Sequence, residues 1–188
     1  MHYYKALHKQ EFSNGNFSIV PIRYEDRFAI MKWRNEQIYH LRQNEPLTIE
    51  GQEKYFTNVL PKLFEEEKPN QILFSFLENE KCIGYGGLVH INRADKNAEI
   101  SFIMDTILEN ENFSKYWSMF LDLIEQVAFK ELKLYKIFTF AFDLRPHLYK
   151  TIENAGFVKE ATLKKHYLFN EKFRDIIIHS KFSVINKP

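Results

Sequence analysis

A short apolar strand that runs through a polar connector into a long one-faced helix restricts this fold more than any other stretch of the chain. The strand is Ala98-Glu99-Ile100-Ser101-Phe102-Ile103-Met104, and the connector is Asp105 to Ser114. Beyond it Tyr116, Met119, Phe120, Leu123, Ile124, Val127 and Ala128 recur three and four residues apart. That spacing predicts a helix over 116–129 with one buried face. A strand feeding a helix in this way leaves free backbone N–H groups and the positive end of the helix dipole at the connector, where an anion can sit.

The flanking segments supply the other layers. Residues 1–15 are polar and weakly patterned, and Ser13-Asn14-Gly15 marks a turn. Residues 17–24 read as a first strand, with Pro21 indicating an edge or a bulge. Glu25 and Asp26 supply an N-cap and early negative charge for a helix through about Leu41. Thr48 caps the next helix; its stripe of Tyr55, Phe56, Val59, Leu60, Leu63 and Phe64 contains Pro61, which predicts a kink or two short helices. Residues 72–77, 82–92 and 98–104 then read as antiparallel strands joined by hairpin connections. Gly84, Gly86 and Gly87 lie inside the second of them, and glycines within a strand mark a bulge or a close approach to the backbone. After the long helix come a strand over 134–142, a helix from Arg145-Pro146 to Asn154 stopped by Gly156, and two strands over 163–169 and 173–184. There is no internal repeat and no linker. The pattern predicts an extension over 1–16 and one α/β domain over 17–188, with helices covering a mostly antiparallel central sheet.

Composition narrows the function. A chain of 188 residues that is 45% hydrophobic and 16% aromatic fits one domain burying roughly 70% of its unfolded surface. The net charge of +1, with acids and bases interspersed, gives no electrostatic footprint for nucleic acid or for an anionic membrane. Nowhere do roughly 18 apolar residues stand together, and Met1 to Lys5 lacks the apolar run of a signal peptide. These features predict a cytoplasmic protein without nucleic-acid or membrane partners. The single cysteine, Cys82, between strand-like neighbours, reads as a buried structural thiol rather than a nucleophile, and no His/Cys spacing suggests a metal.

Six short stretches occur in an order that carries more meaning than any one of them. They are Trp33-Arg34-Asn35-Glu36, Cys82-Ile83-Gly84-Tyr85-Gly86-Gly87, Ala98-Glu99-Ile100-Ser101-Phe102, Ala128-Phe129-Lys130-Glu131-Leu132, Glu153-Asn154-Ala155-Gly156-Phe157 and Phe173-Arg174-Asp175. Over residues 17–184 the set resembles the GNAT (Gcn5-related) acyltransferase superfamily, nearest in look to ribosomal-protein N-terminal and bacterial amino-sugar N-acetyltransferases. The resemblance implies a GNAT-like fold and acetyl-CoA-dependent transfer of an acetyl group to a primary amine of a small molecule, with amino sugars among the acceptors. It implies that the central strand splays from its neighbour, so that the backbone of Phe102, Ile103 and Met104 can pair with pantetheine. It places Trp33-Arg34-Asn35 and the following helix on the acceptor side, and it admits a homodimer.

In that family the pyrophosphate rests on a loop with Gln or Arg at its first position, Gly at its fourth and Gly or Ala at its sixth. Counting back from Ala128-Phe129, the loop falls on Asn112-Phe113-Ser114-Lys115-Tyr116-Trp117, which matches none of the three. Glycines serve there because side chains block the backbone from closing on phosphates. Two readings follow. Either the helix N-terminus still holds pyrophosphate, with Ser114 and Lys115 replacing missing amides, or the cofactor site is degenerate and the chain is a binding or regulatory module. A third keeps the transfer but takes a protein N-terminus as acceptor, which the near-neutral charge disfavours for very basic substrates.

Amine acetylation needs a base for the ammonium, a polarised thioester carbonyl and, where present, an acid for the leaving thiolate. The resemblance sets Glu99 where relatives carry the base or orient a water; by strand alternation it points with Ser101, away from Ile100 and Phe102. A solvent-facing strand carboxylate is the bland alternative. His90, near the end of the glycine-containing strand, has the right unperturbed pKa for a base, or is an ordinary hydrogen-bonded histidine. The family's acid position, four residues before the Gly156-Phe157 glycine, is Ile152 here; Tyr149 lies one turn earlier on the same face, as an acid or as a packed aromatic.

Overall fold

The computed structural model describes residues 2–186. Its strands are β1 (Phe12–Asn14), β2 (Phe17–Pro21), β3 (Ile72–Glu78), β4 (Lys81–Asn92), β5 (Asn97–Met104), β6 (Lys136–Phe142), β7 (Val158–Phe169) and β8 (Lys172–Phe182). They form one sheet in the spatial order β1-β2-β3-β4-β5-β6-β8-β7. Every neighbouring pair is antiparallel except β5 and β6, which run parallel across the long helical crossover between them. The helices are α1 (Arg27–Glu36), α2 (Ile49–Lys54), α3 (Leu60–Glu65), α4 (Thr106–Glu125) and α5 (Pro146–Asn154). The expected α/β architecture is therefore present. No helix among the described residues is long and apolar enough to cross a membrane.

The stripe predicted for α4 is the core. Of its residues Tyr116, Phe120, Leu123 and Ile124 in α4, and Val127 and Ala128 in the π turn Gln126–Glu131 that continues it, are buried, while Met119 is only partly so; Leu121, outside the stripe, is buried as well. Phe120 stacks on Phe102 with ring centroids 3.9 Å apart, and Phe76 meets both rings edge-on. The glycines of β4 answer to the neighbouring strands rather than to a ligand. A Cβ on Gly86 would stand 2.2 Å from the Ser101 carbonyl oxygen, and one on Gly87 would stand 1.9 Å from that of Ile72.

Several boundaries differ from the sequence reading; β7, read as starting at Leu163, starts at Val158 and pairs with β8 from there. Residues 12–14, read as part of a polar unpatterned stretch, form β1, and the Ser13-Asn14-Gly15 turn closes the β1–β2 hairpin with Gly15 at φ +61°. The first helix ends at Glu36, with only a single 3-10 turn over Ile38–His40 beyond it. Gln37 ends it by turning its side chain inward, where Nε2 donates to the Met104 carbonyl at 2.7 Å. Asp26 does not cap α1 through its side chain; its carboxylate accepts instead from the Arg23 guanidinium and, at 2.6 Å, from the Ser75 hydroxyl. The connector after β5 is helical, because Asp105 Oδ1 accepts from the Ile107 N–H at 2.9 Å and starts α4 directly after the strand. Elsewhere the punctuation reads as expected. Thr48 Oγ1 caps α2 through the Gly51 N–H, a π turn over Tyr55–Val59 separates α2 from the α3 that carries Pro61, and Gly156 at φ +87° follows α5.

Candidate active site

The parallel β5–β6 ladder is short. Asn97, Ala98 and Glu99 pair with Lys136, Ile137 and Phe138, after which β6 continues on β8 and the two strands part. Asp105 donates its N–H to the Ile83 carbonyl at 2.8 Å, so by alternation the peptide groups of Ser101 and Ile103 face β4, while those of Ile100, Phe102 and Met104 face the open wedge. Of the three residues expected to pair with pantetheine, Phe102 and Met104 thus present backbone to the gap, and the Met104 carbonyl is already taken by Gln37. A cleft of about 460 Å³ occupies the wedge, walled by Ile100 to Phe102 on one side and Thr139 to Phe142 on the other. Trp117, which stands where the family loop has its last small residue, turns into the core and packs edge-on against Phe102 at 4.9 Å.

Glu99 and His90, proposed separately from the sequence, come together on the rim of this cleft. The β4–β5 register slips between Val89 and Asn92, and His90 sits in that bulge at φ 51°. The bulge re-aims the imidazole, bringing Nδ1 to 2.9 Å from Glu99 Oε2. A carboxylate accepts hydrogen bonds, so this contact puts a proton on Nδ1; in the neutral imidazole Nε2 is then the acceptor. The other oxygen of Glu99 pairs with the Arg42 guanidinium, which itself lies 4.9 Å over the Phe140 ring. Glu99 is buried while the His90 side chain is 66% exposed, so the carboxylate is the anchored partner and the imidazole the accessible one. Sequence reasoning missed Arg42. It lies in an unpatterned segment 57 positions from Glu99, and nothing in its own neighbourhood marks it.

Tyr149 is placed elsewhere. Its hydroxyl donates to Asp143 Oδ1 at 2.7 Å, its ring stacks on His179, and it is not among the residues lining the cleft; Leu148 is. Burial first, then the Asp143 carboxylate, raises its pKa well above that of a free phenol. Cys82 is a neutral thiol, pushed up to about 12 by burial and then by Asp26. His40, also in the cleft lining, is pushed down to about 3, chiefly by burial and next by the charge of Arg145.

The helix N-terminus meant for pyrophosphate is assembled differently from the family pattern. Asn112 leaves the helical region (φ −141°, ψ 39°) inside α4, so the helix kinks there and restarts at Phe113 beside a cavity of about 540 Å³. Lys115 and His147 line that cavity, and so do Glu109 and Glu111. The Lys115 ammonium turns away to Glu78 at 3.3 Å, and the Ser114 hydroxyl bonds Thr151 at 2.8 Å. Glu109 is neutralised by Arg145 at 3.0 Å, both side chains being buried. The wedge and the cavity over the restarted helix are thus both present, and the three family loop positions are filled by Asn112, Lys115 and Trp117.

On the far side of Arg34 lies a second cavity of about 360 Å³, roofed by α1 and α2. Arg34 lines both spaces, and Asn35 pins the intervening loop through Leu47, donating to its carbonyl at 2.9 Å and accepting from its N–H at 2.7 Å. This is the side on which Trp33-Arg34-Asn35 was expected to form the acceptor site.

Comparison with known proteins agrees with this geometry. A family model described as an acetyltransferase (GNAT) domain matches residues 19–178. The Bacillus subtilis protein named Probable N-acetyltransferase YjcK is 27% identical over 152 residues, 80% of each chain. Among solved structures, a chimera of the spermidine N-acetyltransferase SpeG from Vibrio cholerae and hSSAT superposes with a TM-score of 0.75 at 18% identity, over 89% of this chain and 96% of that one. A dodecameric structure of spermidine N-acetyltransferase from Vibrio cholerae gives 0.72 at 20%, over 90% and 95%. The family match over most of the chain, on a sheet whose central strands part as that fold requires, makes this protein a member of the GNAT family and an N-acetyltransferase.

Proposed function

We propose that the protein transfers the acetyl group of acetyl-CoA to a primary amine of a small molecule, with amino sugars among the acceptors. The observation that carries this reading is the Arg42–Glu99–His90 cluster lining the cleft in the β5–β6 wedge, which shares Arg34 with the second cavity. Bound acetyl-CoA supplies an acetyl thioester. Arg42 anchors the Glu99 carboxylate, Glu99 orients the imidazole, and His90 Nε2 takes the proton from the incoming ammonium. The backbone of Phe102 and Met104 aligns the donor along the wedge. A thiolate is an adequate leaving group, so no side chain is required as acid, and Tyr149 is spent on Asp143.

The acceptor reading rests on the second cavity. Gln52, Gln71, Tyr55 and Tyr85 line it with apolar neighbours, a set suited to hydroxyl-rich or neutral polar groups. The cleft lining carries Arg34, Arg42 and Arg145 against Glu99 alone, which favours a small acceptor over a basic protein N-terminus. A homodimer belongs to the same reading: β7 is a twelve-residue edge strand, and Leu168 and Phe173 are exposed beside each other on the β7–β8 hairpin. Light scattering on the purified protein decides that point. The reaction itself is tested by incubating the protein and acetyl-CoA with a panel of amines and reading the products by mass spectrometry. Acetylated amine with stoichiometric free CoA is expected, and no product from any amine would overturn the proposal.

A further inference from the structure

Arg34 stands out among the arginines around the site by what it lacks. Arg42 and Arg145, the other two arginines lining the cleft, each pair with a carboxylate: Glu99 and Glu109. Arg34 has neutral partners. Its Nε donates to Gln43 Oε1 at 2.9 Å and its Nη1 donates to the Tyr85 hydroxyl, while no carboxylate lies within ion-pair distance among the described residues. Gln43 in turn donates to Asn35 Oδ1 at 3.2 Å, so the guanidinium plane is held by a built network rather than left to solvent.

Its position gives that arrangement a use. Arg34 lines both the cleft at the Glu99–His90 pair and the cavity under α1 and α2, and among the described residues it is the only charged side chain lining the latter. Two of its donors are satisfied by neutral acceptors, and Nη2 has no partner. A half-buried guanidinium, oriented by amide and phenol and left without a counter-ion, is made to receive an oxyanion through charge-assisted hydrogen bonds. The same group repels a second ammonium.

Resting on the acetyl-transfer reading above, we infer that the acceptor is an amine that also carries an anionic group, a carboxylate or a phosphate, bound by Arg34 while the amine faces His90. Amino acids and phosphorylated amino sugars are the two sources of that chemistry. A polycationic amine is excluded as the preferred acceptor: it would bring ammonium groups into a cavity without a carboxylate, next to a fixed positive charge. This sets the chain apart from the spermidine N-acetyltransferases it superposes on, likeness of fold notwithstanding.

The test uses matched amine pairs with full-length protein and acetyl-CoA, read by CoA release. Glucosamine 6-phosphate is set against glucosamine, lysine against cadaverine, and spermidine stands as the polycation. The anionic member of at least one pair is expected to exceed its neutral or cationic partner about tenfold to a hundredfold in kcat/KM, the factor one charge-assisted hydrogen bond carries. Which pair shows the preference separates phosphate from carboxylate. In Arg34→Gln the ratio should collapse toward one through KM, in Arg34→Lys it should survive in part, and acetyl-CoA binding by calorimetry should persist in both. Equal rates within both pairs, a preference for spermidine, or a ratio unchanged in Arg34→Gln would each overturn the inference while leaving acetyl transfer intact. Loss of acetyl-CoA binding in folded Arg34→Gln would overturn it too, by moving Arg34 to the cofactor. Absence of turnover with every amine would instead remove the acetyl-transfer reading beneath it.

Discussion

At the scale of single residues, the candidate site joins a carboxylate that is buried to an imidazole that is not. Glu99 is held by Arg42 on one oxygen and by His90 on the other, so neutralising it should disturb the base rather than the fold of the cleft. Glu99→Gln and His90→Gln are each expected to lower kcat by ~10²–10⁴-fold, and the double variant by little more than either alone, because the two side chains act as one unit. Steady-state kinetics on the three variants checks this; additive losses would break the dyad apart. His40 gives a pH signature of its own. Its folded pKa, about 3, lies below the value of about 6.5 for an unfolded histidine. Between those values the unfolded chain binds more protons, so stability falls as pH drops from about 6.5 toward about 3. Denaturant titrations at pH 7 and pH 5 should show a smaller acid loss in His40→Gln than in the parent protein. Of this candidate site, Glu99 was singled out through the family resemblance and His90 through its residue type and its place near the end of a strand. Their contact was not legible, because it depends on a left-handed φ at His90 and a register slip that leave no mark in the residue order. Arg42 was invisible for the same reason of distance along the chain.

At the scale of elements, β4 and α4 are the pieces whose packing shapes the candidate site. The three glycines of β4 read from sequence as a close approach, and the partner is neighbouring backbone. Gly86→Ala and Gly87→Ala should therefore each cost ~3 kcal/mol or more, or yield insoluble protein, since no flexible side chain can give way. Chemical denaturation measures it, and a loss under about 0.5 kcal/mol, the scatter of ordinary surface changes, would contradict the packing described. In α4 the apolar period gave the buried face from Tyr116 onward, while the first turns lacked that period and were taken for a connector. An aspartate cap at Asp105 was the signal available there, three residues after Phe102. The break at Asn112 splits α4 into an anchoring turn and a long helix. Arg145 and Glu109 fasten that turn to α5. Removing either partner leaves a buried charge alone and should destabilise by about 3–5 kcal/mol, whereas the double replacement by Met should cost less than either single change.

At the scale of the molecule, strand order and helix placement put three spaces in a row: the cavity over the α4 restart, the wedge between β5 and β6, and the chamber beneath α1 and α2. The order of elements from 17 to 184 was readable because each has its own period and punctuation. The parting of β5 from β6 was legible only through family resemblance, since no residue pattern states where a parallel ladder stops. The stretch from Asn112 to Trp117 lacks the family's glycines, yet the helix restarts at Phe113 and Trp117 is folded into the core. Donor binding along that path is the claim on which the rest depends. Isothermal titration of acetyl-CoA into the full-length protein tests it most directly. A saturable one-to-one isotherm with a Kd of about 1 μM to 1 mM, the usual span of substrate affinities for enzymes, is predicted; no binding heat at millimolar acetyl-CoA would contradict the account.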